Sequence, residues 1–483
     1  MKQNKLLHNL AYNVTYHILI LIVPFITAPY VSRILHPEGL GTYSVTTAIA
    51  KYFWMFGLLG MSKHGNRLIA SVRDNAERLS EEFSNLFYFQ LMISSLSTAI
   101  FLLYIFLFGY SQYDIVIVCQ IPYLLAAVFD VTWFFSGTEQ FQSMVLKNAI
   151  IKIVSTAAVF FFVKNKEDVW VYVLINTLSL FAGQICLWPL LLKQVKFHKP
   201  DFHKIMRHLR PNLVLTVSVI AVSIYVMMDK IMIEWLSSRI HVGYYENTEK
   251  ILNMSTGIVG AIGTVMLPRM AYLMTNGDKD HALNYLSKSM RYIMTFAIAI
   301  AFGVASIAKE FSVLYFGKEF EICGITIPII SVAILFYSWE NIMKTQYLLP
   351  KSKDKIYVKG TIAAAICNLF LNYLLIPRLG VIGAVIGTVG AQAASAVYES
   401  ICVRKQLPIK QYILDLLPLV LIGALMFLTC RLIGVKMGSE WLTIVTQIVV
   451  GALIFVLLTF LYYLHIKDEL VMKILKKSSA SKV

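Results

Sequence analysis

Residues 441–465 read WLTIVTQIVVGALIFVLLTFLYYLH, without one Asp, Glu, Lys or Arg. An α-helix needs about 20 predominantly apolar residues to cross a hydrocarbon layer about 30 Å thick. Because lipid cannot satisfy backbone polar groups, such a segment predicts a transmembrane helix. Similar segments recur from one end of the chain to the other. They predict about fourteen spans, at approximately 10–32, 40–62, 83–108, 114–137, 145–163, 169–192, 211–236, 242–268, 290–309, 324–349, 356–377, 380–403, 412–433 and 441–465.

The overall composition agrees with a membrane protein. Of the 483 residues, 58% are hydrophobic and 14% are charged. A water-soluble protein of this length needs more polar surface than these residues supply, so its solvent must be lipid. No connection between the spans is long enough for a separate soluble domain. We therefore predict an all-α integral membrane protein.

Lysine and arginine give the chain a formal net charge of +16. In a soluble protein this charge would favour nucleic acid as a partner. Here about 30 of the 43 Lys and Arg residues fall in tails and loops of one parity, as the positive-inside rule requires. The distribution predicts that both termini are cytoplasmic, and it explains the charge without nucleic acid.

The richest basic loop, KQVKFHKPDFHKIMRHLR, follows the sixth span. It predicts a cytoplasmic linker, 193–210, between two pseudo-symmetric six-helix bundles, 1–192 and 211–403, around a central cavity. Two additional helices and a basic tail occupy 404–483. Weak internal similarity supports the repeat, because GTY at 41–43 and GYY at 243–245 each precede an intramembrane lysine.

Ionisable residues inside the spans are the candidates for function. A charge near the bilayer centre costs at least about 2.5 kcal/mol, so it must face a partner or a water-filled cavity. The charged candidates are Lys51, Asp130, Asp229, Lys230, Glu246, Glu249, Lys250, Glu340, Lys344 and Glu399, with the neighbouring amides Asn253 and Asn341. Glu340 and Lys344 are four residues apart and can pair on one helix. Such pairs can also be purely structural, and Glu399 lies near a predicted cytoplasmic end where it can reach water.

Sequence signatures of enzymes are missing. The six cysteines are scattered singly, and no P-loop, H-E-x-x-H or G-x-S-x-G motif occurs. We therefore predict no catalytic residues, no metal and no cofactor.

Four segments, taken in order, carry a family resemblance. They are PYVSRILHPEGLGTYS at 29–44, MDKIMIEWL to VGYYENTEKI at 228–251, LPR at 267–269 and NYLLIPRLGVIGAVIGT at 372–388. Together they resemble the bacterial polysaccharide flippases of the multidrug/oligosaccharidyl-lipid/polysaccharide exporter superfamily. The resemblance covers nearly the whole chain.

This resemblance implies a function and a location. A family member moves an undecaprenyl-diphosphate-linked oligosaccharide, the repeat unit of a capsule or O-antigen, to the outer leaflet of the bacterial inner membrane. Other polysaccharide assembly proteins are implied as partners. The family's charged cavity residues correspond to Arg33, Asp229, Lys230 and Lys250. Glu234 stands where family members commonly have glycine.

The residues themselves agree with such a substrate. A diphosphate must be neutralised in the membrane, and Lys51, Lys230, Lys250 and Lys344 can supply the charge. Sugars need donors and acceptors such as those of Asn253 and Asn341. Acids beside the lysines indicate coupling to a proton or sodium gradient.

Three other functions remain open at this level. A multidrug exporter of the same superfamily would use acids in its cavity, and the intramembrane acids here outnumber the lysines. A lipid II flippase would have the same fold and a similar lipid carrier. A membrane polysaccharide polymerase is disfavoured, because it would need a long outer loop with catalytic groups.

Overall fold

A computed structural model gives the fold. It describes the backbone of residues 2–275, 279–468 and 472, and their side chains except at 2–22, 141, 143, 214–226, 264–265, 275 and 279. Every regular element in these residues is a helix. The all-α prediction is confirmed for the described part of the chain.

The chain divides into two compact units, Met1–Glu246 and Asn247–Val483. The first unit contains α1 (Lys2–Leu58), α2 (Met61–Val72), α3 (Ala76–Tyr104), α4 (Tyr110–Tyr113), α5 (Ile115–Val118), α6 (Ile121–Val128), α7 (Thr132–Gly137), α8 (Phe141–Phe162), α9 (Val169–Ile185), α10 (Trp188–Leu191), α11 (Phe202–Met206) and α12 (Leu209–Leu236). Helix α13 (Arg239–Thr275) begins in the first unit and continues into the second.

The second unit continues with six long helices. They are α14 (Lys279–Phe311), α15 (Cys323–Met343), α16 (Asp354–Leu379), α17 (Val381–Val403), α18 (Ile409–Met437) and α19 (Trp441–His465). Short π-helical turns occur at Ile105–Gly109, Ser312–Phe316 and Lys344–Leu348, and 3₁₀ turns at Lys166–Asp168 and Lys318–Phe320.

Eleven helices of the described chain are long and apolar enough to cross a membrane. They coincide with predicted spans three to six and eight to fourteen. The other three predicted spans lie in α1 and α12, whose side chains are described only in part. The arrangement as two bundles of six helices plus two remains a prediction, as does the linker at 193–210. The division at Glu246 reflects the packing of α12 and the start of α13 against helices of the first unit.

Predicted spans one and two are joined more tightly than expected. Helix α1 runs through both and is interrupted at His36, where φ is 57° and ψ is 174°. Proline disfavours the α conformation in the residue before it, and Pro37 follows. Proline is also well suited to the first turn of a new helix. A single residue therefore replaces the predicted connection at 33–39.

The fourth predicted span is broken into α5, α6 and α7. Asp130, a functional candidate in the sequence, accepts hydrogen bonds from the backbone N (2.8 Å) and hydroxyl (2.6 Å) of Thr132. The amide of Gln90 donates to the carbonyls of Ala127 and Asp130, both at 2.8 Å. Buried backbone groups released by the break are thereby satisfied. Asp130 holds the break between α6 and α7.

Two histidines pack together beside the basic loop. Nε2 of His64 lies 3.0 Å from Nδ1 of His208, and His208 is 3% exposed. Burial lowers the pKa of His208 to about 4, and the nearby His64 adds to this effect. Burial also lowers the pKa of His64. Both rings therefore favour the neutral form in the folded protein.

This pair predicts a loss of stability in mild acid. The folded protein binds fewer protons at His208 than the unfolded chain does. The contribution of His208 to the free energy of unfolding is therefore complete above about pH 6.5 and declines as the pH falls toward 4. The loss by pH 5 should be about 2 kcal/mol. We expect the unfolding temperature in mild detergent to fall less for His208→Gln than for wild type between about pH 7 and pH 5. His203→Gln, at an exposed position of α11, is the control; an equal fall in all three proteins would contradict the prediction.

Candidate functional site

Two backbone segments cross in very close contact in the first unit. A Cβ atom on Gly41 would lie 2.0 Å from the carbonyl oxygen of Arg239, and one on Gly243 would lie 1.9 Å from that of Pro37. The contact is reciprocal, because each carbonyl belongs to the residue four positions before the other segment's glycine. No side chain fits at either position. The similar triplets noted in the sequence therefore meet each other.

A buried ion pair follows the crossing. The hydroxyl of Ser44 donates to Oε2 of Glu246 at 2.5 Å, and Nζ of Lys230 lies 2.6 Å from the same oxygen. Glu246 is 8% exposed. Buried charges require such pairing and additional hydrogen bonds. The predicted residues Lys230 and Glu246 are thus brought together, and Ser44 joins them.

Asp229 is oriented separately from its neighbour Lys230. Its buried carboxylate accepts a hydrogen bond from the hydroxyl of Tyr245. Glu234, which departs from the family pattern, pairs with Arg239 at 3.0 Å. The guanidinium of Arg239 also lies 5.2 Å from the ring centroid of Tyr113. Glu234 therefore helps to anchor the start of α13.

The remaining predicted bases of α1 occupy different places. Lys51 is half-buried and lies two helical turns after Ser44, on the same face of α1. Arg33 is exposed and precedes the break at His36. Lys51 is therefore the α1 residue best placed to extend the polar cluster of Ser44, Lys230 and Glu246.

Helix α13 carries further predicted residues within the second unit. Nζ of Lys250 lies 3.4 Å from Oδ1 of Asn247, Glu249 is half-buried and Asn253 is exposed. A Cβ on Gly263 would lie 2.1 Å from Oδ1 of Asn341, so glycine makes room for this predicted amide of α15. The predicted polar faces of spans eight and ten thus pack together.

The predicted pair of Glu340 and Lys344 is wrong. Both side chains are described, and no ion pair joins them; Nζ of Lys344 instead lies 5.1 Å from the ring centroid of Tyr357. The α-helical register is intact between the two residues, because the backbone N–H of Lys344 donates to the carbonyl of Glu340. The four-residue spacing therefore did not decide which neighbour the long lysine side chain contacts. Glu399 is also placed differently, since it is fully buried and does not reach water.

Sequence reasoning missed a polar cavity in the first unit. Its volume is about 380 Å³, and it is lined by Pro24, Tyr43, Thr47, Gln120, Tyr123, Asn148, Ile151, Lys152, Asn176, Thr177, Ser179, Leu180, Gly183 and Gln184. Lys152 lies seven residues inside the predicted span 145–163 and was not among the candidates. Ser44 was missed because it carries no charge, although it lies three residues after Gly41 just as Glu246 lies three after Gly243.

Sequence profiles of two known protein families match this chain. The sequence profile described as polysaccharide biosynthesis protein matches residues 6–274, more than half of the chain. The chain belongs to this family. A second profile, described as lipid II flippase MurJ, matches residues 239–466 of the same chain.

Curated relatives of this family member are transporters. An O-antigen transporter of Shigella dysenteriae is 24% identical over 80% of this chain and 96% of its own length. One from Escherichia coli K12 is 26% identical over 76% of this chain and 88% of its own length. A low-salt glycan biosynthesis flippase of Haloferax volcanii is 23% identical over 46% of this chain and 47% of its own length.

Solved structures show the same fold. The lipid II flippase MurJ, in an inward closed conformation, superimposes with a TM-score of 0.74 at 16% identity, covering 96% of this chain and all of that one. An inward-facing multidrug transporter of the MATE family gives 0.58 at 12% identity, covering 83% of this chain and 98% of that one.

Proposed function

We propose that this protein is a flippase for an undecaprenyl-diphosphate-linked oligosaccharide. It moves the repeat unit of an O-antigen or capsule from the cytoplasmic to the outer leaflet by alternating access. The observation that carries the proposal is the match to O-antigen transporters over nearly their whole length. We further propose that it lies in the bacterial inner membrane with both termini in the cytoplasm, as its loop charges favour.

The lysines are the groups that would bind the diphosphate. Lys230 already donates to one carboxylate oxygen of Glu246, which Ser44 also binds. A phosphate oxygen offers Lys230 an equivalent charged acceptor, so substrate can exchange with Glu246. Lys51 and Lys250 are half-buried and supply further positive charge. Asn253 and Asn341 offer both donors and acceptors to sugar hydroxyls.

An apolar groove in the second unit suits the lipid carrier. It lies between α14, α18 and α19 and has a volume of about 690 Å³. Its lining is almost entirely apolar, including Phe296, Ile300, Met426, Phe455 and Phe460. A polyprenyl chain is as apolar as the surrounding lipid, so packing against this lining, and not removal from water, would hold the chain in the groove.

A lipid II flippase is the second candidate. It is favoured by the profile match over residues 239–466 and by the TM-score of 0.74. The two substrates share a polyprenyl diphosphate and differ in the attached glycan. The fold alone therefore does not separate them.

Deleting the gene distinguishes the candidates. If the proposal is correct, cells lacking this protein stay viable, lose surface polysaccharide and accumulate its lipid-linked repeat unit on the cytoplasmic face. Expression of the wild-type gene should restore the polysaccharide. Lysis with accumulation of lipid II, and unchanged surface polysaccharide before lysis, would instead establish the second candidate.

A further inference from the structure

Glu399 in α17 is a buried carboxyl group without hydrogen bonds. The residue is 0% exposed, and neither carboxyl oxygen has a hydrogen-bond partner in the described structure. Helix α16 covers it at Gly360, where a Cβ atom would lie 3.4 Å from Oε1 of Glu399 and 3.2 Å from the hydroxyl of Ser395. The carboxyl group thus points into a protein interior that leaves it little room.

Two other buried carboxylates of the second unit are paired. Glu310 is 2% exposed and lies 2.7 Å from Arg431. Asp468 lies 2.8 Å from Arg291 and accepts a hydrogen bond from Tyr292 at 2.7 Å. Such pairing is what an ionised carboxylate needs away from water. Glu399 differs from both acids in lacking it.

The charged groups that face Glu399 do not supply this pairing. Glu340 of α15 and Lys344 of the following π turn act on it electrostatically, while α16 presents Gly360 and α17 itself presents Ser395. Lys344 stacks on the ring of Tyr357 and makes no ion pair with Glu399 in these described residues. A second acid, Glu340, is itself nine-tenths buried. Two buried carboxyl groups that act on each other electrostatically favour one proton between them over two charges.

We propose that Glu399 and Glu340 form a proton-binding site whose occupancy changes during transport. A proton from water on one side of the membrane binds a carboxylate as an O–H bond forms, and the same bond breaks when the proton leaves to water. Glu399 lies one turn before the end of α17 at Val403, so a local opening at that end can give water access. The coupling of this site to glycan transport rests on the proposed flippase function.

The test uses purified protein in liposomes with a fluorescent polyprenyl-diphosphate glycan and a pH-sensitive dye. We expect the wild-type flipping rate to respond to a proton gradient, and Glu399→Gln and Glu340→Gln to lose this response. Glu310→Gln is the matched control, because it removes a carboxylate of equal burial that has a partner; it should keep the response. An unchanged proton response in Glu399→Gln would overturn the proposal. So would a response to a sodium gradient alone, at equal pH on both sides.

A second measurement does not depend on the substrate. The difference in unfolding temperature between wild type and Glu399→Gln should change between about pH 5 and pH 9 if the folded protein keeps a proton on Glu399 at a pH at which the unfolded chain has lost it. A constant difference would overturn the site. If wild type does not flip the glycan but the difference in unfolding temperature depends on pH, the flippase function is rejected and the proton-binding site is retained.

Discussion

Gly243→Ala is expected to destabilise the protein by at least about 3 kcal/mol and to leave little of it folded in the membrane. The added methyl group would lie 1.9 Å from the carbonyl oxygen of Pro37, and a backbone atom cannot move aside as a flexible side chain can. The crossing would have to separate, which also disturbs the contacts of Ser44 and Glu246. Membrane abundance and the unfolding temperature in detergent measure the effect.

Gly303→Ala is the matched control for this substitution. It lies in another membrane helix, and its Cβ would meet only the terminal methyl of Met426, at 3.9 Å. We expect it to be neutral or stabilising, because alanine favours a helix over glycine by up to about 1 kcal/mol. Gly41→Ala should destabilise the protein as Gly243→Ala does. The double variant should lose less stability than the sum of the two single losses, because both substitutions separate the same crossing. Equal stability of Gly243→Ala and Gly303→Ala would refute the account.

The second large effect concerns the lysines. Combining Lys51→Gln, Lys230→Gln and Lys250→Gln should reduce flipping at least about a hundredfold, because each hydrogen bond to a charged group contributes about 1.5–3 kcal/mol. Replacement by arginine should retain more transport, because the positive charge remains. Lys309→Gln, at an exposed end of α14, is the control. Surface polysaccharide and protein level are measured in the same strains.

The contact between Lys230 and Glu246 provides a competing explanation that can be separated. If Lys230 serves only to neutralise Glu246, Lys230→Gln should lower protein abundance by leaving a buried carboxylate unpaired. Glu246→Gln added to it should then restore both abundance and transport. If Lys230 binds the diphosphate, the double variant should be abundant and still inactive. Normal polysaccharide in the triple lysine variant would rule out the cationic site altogether.

The sequence predicted the membrane helices well because the cost of burying backbone in lipid is summed over about 20 residues. Features that depend on a single residue were not predicted. The side chain of Lys344 lies over the ring of Tyr357 and not beside Glu340, and His36 joined two spans without a loop. The burial of Glu399 depends on a neighbouring helix, so its position near a span end gave the wrong environment. Charged residues of the site could be named, while the hydroxyl that joins them could not.

The reciprocal crossing of Gly41 and Gly243 follows the rule of an isologous interface. In a symmetric homodimer, residue i of one subunit contacts j of the other, and j contacts i. Here the same relation holds within one chain, at a constant offset of 202 positions that also relates Ser44 to Glu246. A homodimer would place identical side chains across its axis, either two hydroxyls or two repelling carboxylates. A single chain can place one of each there, because positions 44 and 246 can carry different side chains.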